Sequence, residues 1–269
     1  MKITFTPSFK AKNSNIRRAD DIQRNARNIF PFVSPTYFDA FYRTGKLVID
    51  ETQDTETKLK TIKRQVKYEL TTKSLDDKIT AIRQYSKQRA FEGYTLEEKN
   101  MNAPIFLILR GIKALKTANC QECAGLAMAA LAANGITNLE RDKIVAEFKY
   151  INKRTGETEY QATEDLDHTI VVAQMGEEEK DKVVVDAWIG FADSLSASKA
   201  KFKQLLWESD IKELDEKHSE LFKKQNVNGT EKDYIKRINI NFKQIEKLSE
   251  ENMRLIGYYT RGLYPELIK

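Results

Sequence analysis

The chain is poor in cysteine and histidine, with two of each among 269 residues. Two cysteines cannot build the cross-linked framework of a small secreted domain, nor a four-cysteine zinc site. They stand close together, at Cys120 and Cys123, where a disulfide would close almost no loop. A reducing compartment is therefore the expected home. Five prolines and 11 glycines exclude collagen-like and low-complexity chains. Long apolar runs are missing too. The longest, Cys123 to Ala133, falls short of the ~20 residues that span a bilayer. The start, Met1-Lys2-Ile3-Thr4-Phe5-Thr6-Pro7, has no apolar leader core, so no Sec signal peptide is expected. The expectation is a protein without a membrane span, either cytoplasmic or delivered to a host or target cell by a non-Sec route. Charge of one sign is also lacking: 45 Lys+Arg face 40 Asp+Glu, a net +5. Most of it is mixed in sign, without the one-sided basic stripe of a nucleic-acid binder, and no nucleic-acid partner is expected.

What is present points to a folded chain: 41% hydrophobic and 10% aromatic residues are too many for a disordered one. Residues 1–30 are polar and locally basic (Lys10, Lys12, Arg17, Arg18, Arg24, Arg27) and read as a loose arm. Residues 31–95 read as a helical segment packing on the core. Six aromatics, Phe30, Phe32, Tyr37, Phe38, Phe41 and Tyr42, crowd around Pro31 and Pro35, as in a segment anchored onto a core. Helical patterns follow at about 56–73 and 75–92; Leu75, Ile79, Ile82 and Tyr85 share one face of the second, with Ser74 placed to cap it. Residues 96–195 hold a buried-type run, Ile105–Leu109, an Ala-rich helix stopped by Asn134-Gly135, and strand candidates at Ile144–Ile151, Glu157–Thr163 (the weakest), Thr169–Gln174 and Lys182–Trp188. Sequential strands with short connections predict an antiparallel sheet, hence an α+β class. Residues 196–269 read as a C-terminal helical segment: one helix marked by Phe202, Leu205, Leu206, Ile211, Leu214, Leu221 and Phe222, another by Ile235, Ile238, Phe242, Ile245 and Leu248.

Chemistry concentrates in three residues. Cys120 opens the Ala-rich helix, where unpaired N–H groups and the helix dipole favour a thiolate. His168 opens one strand candidate and can pair with that thiolate and later protonate a leaving group. Asp186 closes the next, after Val183-Val184-Val185. A carboxylate ending an apolar strand needs a partner, and on a neighbouring antiparallel strand it can orient the imidazole. The N–H groups at the helix start are candidate oxyanion donors. His218 reads as a structural residue on a solvated helix face. Glu122 reads as a first-turn carboxylate favoured by the dipole.

Asn119-Cys120-x-Glu122, Asp167-His168-x-x-Val171-Val172 and Val184-Val185-Asp186-x-Trp188 resemble the three motifs of papain-like and transglutaminase-like cysteine enzymes, above all bacterial papain-fold toxins and effectors. The resemblance covers roughly residues 115–190. It implies a papain-like core whose nucleophile-bearing helix packs on an antiparallel sheet. It also implies Cys120 as nucleophile, His168 as general acid/base and Asp186 as orienting carboxylate. The family's oxyanion glutamine has no counterpart here, since Lys113, Ala114 and Lys116 occupy that stretch. Asn119, Gln121 and Trp188 remain as oxyanion or substrate candidates, and Trp188 could also shield the His–Asp bond. Asp186 stands where papain-type proteases carry Asn, which leans toward the deamidase, effector-protease and transglutaminase branches.

The expectation is a thiol-dependent amide hydrolase with a protein substrate, a glutamine deamidase by preference, needing no metal and no cofactor. A cysteine protease or a transglutaminase would use the same triad. A non-enzymatic binding protein, with Cys120 buried and inert, is the competing class. Zinc held by Cys120, Cys123, His168 and Asp186 is possible by ligand type, and Cys-x-x-Cys also evokes thioredoxin chemistry. Both are weaker readings: Gln121-Glu122 is unlike the thioredoxin dipeptide. The oligomeric state is not legible.

Overall fold

A computed structural model of the chain describes residues 13–32, 34, 73–84, 103–225 and 231–269. The first element is helix α1 (Ser14–Ile29), capped by Asn13, whose side chain accepts the N–H of Asn15. It buries Ala19, Ile22 and Ala26 along one face, the spacing of a core-facing helix. Most of the expected loose arm is thus a packed helix. Its basic residues lie between the apolar ones, so a high charge density concealed an ordinary amphipathic pattern.

Helix α2 (73–84) buries Leu75, Ile79 and Ile82 as the periodicity predicts; Lys73 and Ser74 are already helical, so Ser74 is not its cap. The expected helix over about 56–73 (save Lys73), the continuation of α2 past 84 and the aromatics Tyr37 to Tyr42 lie outside the described residues. Helix α3 (Ala103–Leu115) carries the Ile105–Leu109 run, and α4 (Cys120–Ala133) is the Ala-rich helix. At its end Gly135 adopts φ 81°, the left-handed conformation that stops a helix at low cost.

Five strands form one antiparallel sheet in the order β4-β3-β2-β1-β5: β1 (Leu139–Asn152), β2 (Thr158–Gln174), β3 (Lys182–Asp186), β4 (Phe191–Ser194) and β5 (Tyr234–Lys247). The class is α+β. The separate candidates at 157–163 and 169–174 are one strand, and β1 starts five residues before the apolar run that signalled it. Side chains alternate across the sheet. Val171, Ala173, Val183 and Val185 face a core shared with α1, α3 and α4, whereas Ile170, Val172 and Val184 face a second core with Phe202 and Ile211. Helices α5 (Leu195–Leu205) and α6 (Lys212–Gln225) flank that second core, and α7 (Glu250–Leu263) packs on α4.

Two expectations for the C-terminal region are corrected. The residues Ile235 to Leu248 do not form a helix: Tyr234–Lys247 is β5, paired along β1 from Asn152↔Tyr234 to Glu140↔Lys247. Ile238-Asn239-Ile240-Asn241-Phe242 alternates strictly and is rich in β-branched residues, which suits a pleated strand. The widely spaced apolar residues Ile235, Ile238, Phe242 and Ile245 imitate a helical period. The helix expected from Phe202 to Phe222 is two, α5 and α6, joined by a wide π-type turn at Trp207–Ile211.

Candidate active site

The site forms where the N-terminus of α4 meets β2 and the end of β3. Asn119 is the residue before α4, in extended backbone. Its N–H donates to the Glu122 carboxylate at 3.1 Å. That carboxylate is buried and takes two further bonds from the Arg83 guanidinium of α2, at 2.7 and 3.3 Å. Glu122 in turn raises the pKa of Arg83, with smaller contributions from the charges of Cys120 and Asp167. Cys120 is the first residue of α4 and partly exposed, whereas Cys123, one turn on, is buried. Burial pushes the Cys123 thiol well above its ordinary range, which suits a packing residue and not a nucleophile.

His168 is aimed by an irregularity in β2. Pairing with β1 runs Lys143↔Thr169 and then Val145↔Asp165, so Leu166, Asp167 and His168 lie opposite Ile144 alone. Asp167 takes φ 44°, a conformation that Asp tolerates better than most residues. Bulges of this kind re-aim side chains. This one brings the Asp167 carbonyl to Cys120, whose Sγ–H donates to it at 3.8 Å, and turns the next residue, His168, inward.

The imidazole is buried, with Trp188 and Phe202 against it at ring-centroid distances of 5.0 and 5.6 Å. Nε2 meets Asp186 Oδ2 at 2.7 Å. Asp186 is itself buried, and its other oxygen accepts the backbone N–H groups of Trp188 and Ile189 at 2.9 and 3.0 Å. Burial acts to lower the His168 pKa. The Asp186 charge, its hydrogen bond and a hydrogen-bonding interaction with Cys120 outweigh it, and the net shift is upward, to about 10. With Nε2 held by Asp186, Nδ1 is the ring nitrogen left for the sulfur. The buried carboxylate has three donors, and its charge beside Nε2 supports an imidazolium at His168.

No family model, curated protein or solved structure matches the chain. Cys120, His168 and Asp186, 66 residues apart from first to last, converge. Of the other candidates, Gln121 is exposed. Asn119 and Trp188 are joined through Ser34, which accepts the Trp188 indole N–H at 2.8 Å and donates to Asn119 Oδ1 at 2.9 Å. The Trp188 N–H is thus engaged with Ser34. The N–H groups of Cys120 and Gln121 open the helix and have no acceptor within it, the position an oxyanion site needs.

Ser34, Arg83 and the Asp167 bulge were not singled out by the sequence reading. A serine before a proline and an arginine on a helix face carry no local signal, and only the Asp hints at a left-handed position. His218 is corrected: it is buried, its Nδ1 2.7 Å from the Tyr160 hydroxyl and its Nε2 3.0 Å from Glu164, with its ring on Phe148. The charged neighbours Lys217, Glu216 and Glu220 masked a core position. Among the described residues, no group of three or more His, Cys, Asp and Glu is placed to hold a metal ion. No described helix is long and apolar enough to cross a membrane.

Proposed function

We propose that the protein is a thiol-dependent amide hydrolase acting through Cys120, His168 and Asp186. The observation that carries this reading is the buried 2.7 Å His168–Asp186 bond beside a partly exposed cysteine at a helix N-terminus. The Cys120 thiolate attacks a carboxamide carbon, forming a C–S bond, and the oxyanion is met by N–H groups at the start of α4. His168, as imidazolium, gives its Nδ1 proton to the departing nitrogen as the C–N bond breaks. The neutral ring then takes a proton from water, whose oxygen attacks the thioester and releases acid and thiolate. Asp186 keeps the tautomer and orientation through both steps.

The preferred substrate is a glutamine side chain of a protein, with ammonia as the leaving group. A carboxylate at position 186 sets the chain apart from papain-type proteases and leaves effector proteolysis and transglutamination as alternatives that use the same triad. Intact-mass analysis of treated proteins, with assay of released ammonia, tests the preference: –NH2 replaced by –OH without new termini is expected, and new termini would replace deamidation by proteolysis. The class itself is tested by iodoacetamide. Cys120 is expected to alkylate much faster than Cys123 at neutral pH, and His168→Ala to slow it. Equal sluggishness of both thiols in the folded protein removes the enzyme reading and leaves a binding protein.

A further inference from the structure

The reacting groups are enclosed by a ring of contacts that closes through one hydroxyl from outside the central region. Starting at Cys120, the ring passes to His168, then to Asp186, and on to the Trp188 backbone N–H. From the indole of Trp188 it crosses to Ser34, from Ser34 to Asn119, and so back to the residue bonded to Cys120. Ser34 is buried and follows shortly after α1, 85 residues from Asn119 and 154 from Trp188.

The direction of this bridge is fixed by chemistry. An indole nitrogen can only donate, so Ser34 Oγ accepts from Trp188 and spends its own proton on Asn119. The Asn119 amide is thereby pinned with its oxygen toward Ser34. The same bridge holds the Trp188 ring, which packs 5.0 Å from the His168 ring. One hydroxyl therefore ties the residue that starts the nucleophile helix to the residue that covers the imidazole. The opposite side of the α4 N-terminus is held by Arg83 and Glu122, so the Ser34 bridge and this pair hold the helix start from two sides.

We propose that Ser34 is a positioning residue for the catalytic row, setting the spacing between the Cys120 sulfur and the His168 ring through Asn119 and Trp188. This rests on the amide-hydrolase reading above and adds to it a residue that touches neither substrate nor reacting atoms. A small misplacement of reacting groups costs far more in rate than in stability.

The test is the pH profile of Cys120 alkylation in the full chain, measured with iodoacetamide beside thermal unfolding. In Ser34→Ala the rate at pH 6 is expected to drop roughly tenfold to a hundredfold, with the profile moving toward that of an ordinary thiol. Ser34→Thr keeps a hydroxyl and is expected to restore both. Trp188→Phe keeps a ring but removes the donor; it should reproduce the profile of Ser34→Ala, and the double variant should be no slower than the slower single. A Ser34→Ala protein with a lower melting temperature and an unchanged profile overturns the proposal, as does additivity of the two variants. Should Ser34→Ala fail to fold, Trp188→Phe with an unchanged profile overturns it equally. A wild-type profile that ignores His168→Ala brings down the amide-hydrolase reading itself, which is a separate result.

Discussion

Asp186 meets two demands at once. Oδ1 takes two backbone N–H groups of the turn that follows β3, and Oδ2 takes the imidazole. An amide there has one oxygen for both sets of donors. In Asp186→Asn the two turn N–H groups would keep that oxygen, and the NH2 group would face Nε2, forcing the ring proton onto Nδ1, the wrong side for accepting from sulfur. The charge that raises the His168 pKa is lost as well. Cys120 alkylation near pH 6 is expected to slow by roughly tenfold or more. The same pair predicts a pH dependence of stability. The folded His168 titrates at about 10 against an ordinary 6.5, so the folded state holds more protons between these values. Its contribution is fully present below about pH 6.5 and is lost as pH rises through about 10. Melting temperatures across this window should fall less steeply in Asp186→Asn than in wild type; parallel slopes would show that the pair does not titrate in this way. All three members of the row were legible from residue type and order, because each is an unusual residue for its place: a cysteine starting an alanine helix, a histidine opening a valine strand, an aspartate ending one. Ser34 was not legible, since nothing in its own segment distinguishes a bridging serine from a surface one.

Among the elements, α4 shows how composition can predict packing. Its alanines are buried around the helix, and side chains of that size let neighbouring elements approach closely. One such neighbour is α7: a Cβ at Gly257 would lie 2.3 Å from the Ala132 carbonyl oxygen, and backbone atoms cannot step aside as a side-chain tip can. Gly257→Ala must push α7 away from α4 or tilt it, and overpacking of this kind costs about 1–3 kcal/mol. Chemical denaturation should show that loss with little change in the slope, and a variant as stable as wild type would mean that the two helices pack less tightly than this. β5 escaped the sequence reading because two periods overlap in it. Helical and strand periods share residues when apolar side chains recur at intervals of three and four, as Ile235, Ile238, Phe242 and Ile245 do. In β5 the alternation of Ile238, Ile240 and Phe242 with two asparagines was the stronger signal. The bulge at Asp167 breaks the period of β2 beside Cys120, so a strict two-residue rule splits one strand into two.

The sheet is completed by a strand from the C-terminal region, β5, and this bears on whether the central region can stand alone. The sequence divides at 96–195 into a core carrying Cys120, His168 and Asp186, with flanking segments. The structure adds dependencies that cross those limits. β5 covers the edge of β1 along almost its whole length. Phe202, Ile211 and Phe222 pack against one face of the sheet, Ile240 joins the same layer, and Met253 and Ile256 pack with α4 on the other. All six are buried and lie outside 96–195. At about 1.5–3 kcal/mol for each buried side chain they contribute on the order of 10 kcal/mol, comparable with the entire net stability of a typical domain, about 5–15 kcal/mol. Without them β1 would also present a long unpaired edge, a template for aggregation. A fragment of residues 96–195 is therefore expected to lack a cooperative thermal transition and to leave Cys120 and Cys123 equally open to iodoacetamide. The full chain should melt cooperatively and keep Cys123 protected. A fragment that melts cooperatively with Cys123 protected would mean that the central strands and α4 suffice to assemble the site, and that β5, α7 and the Ser34 bridge only refine it.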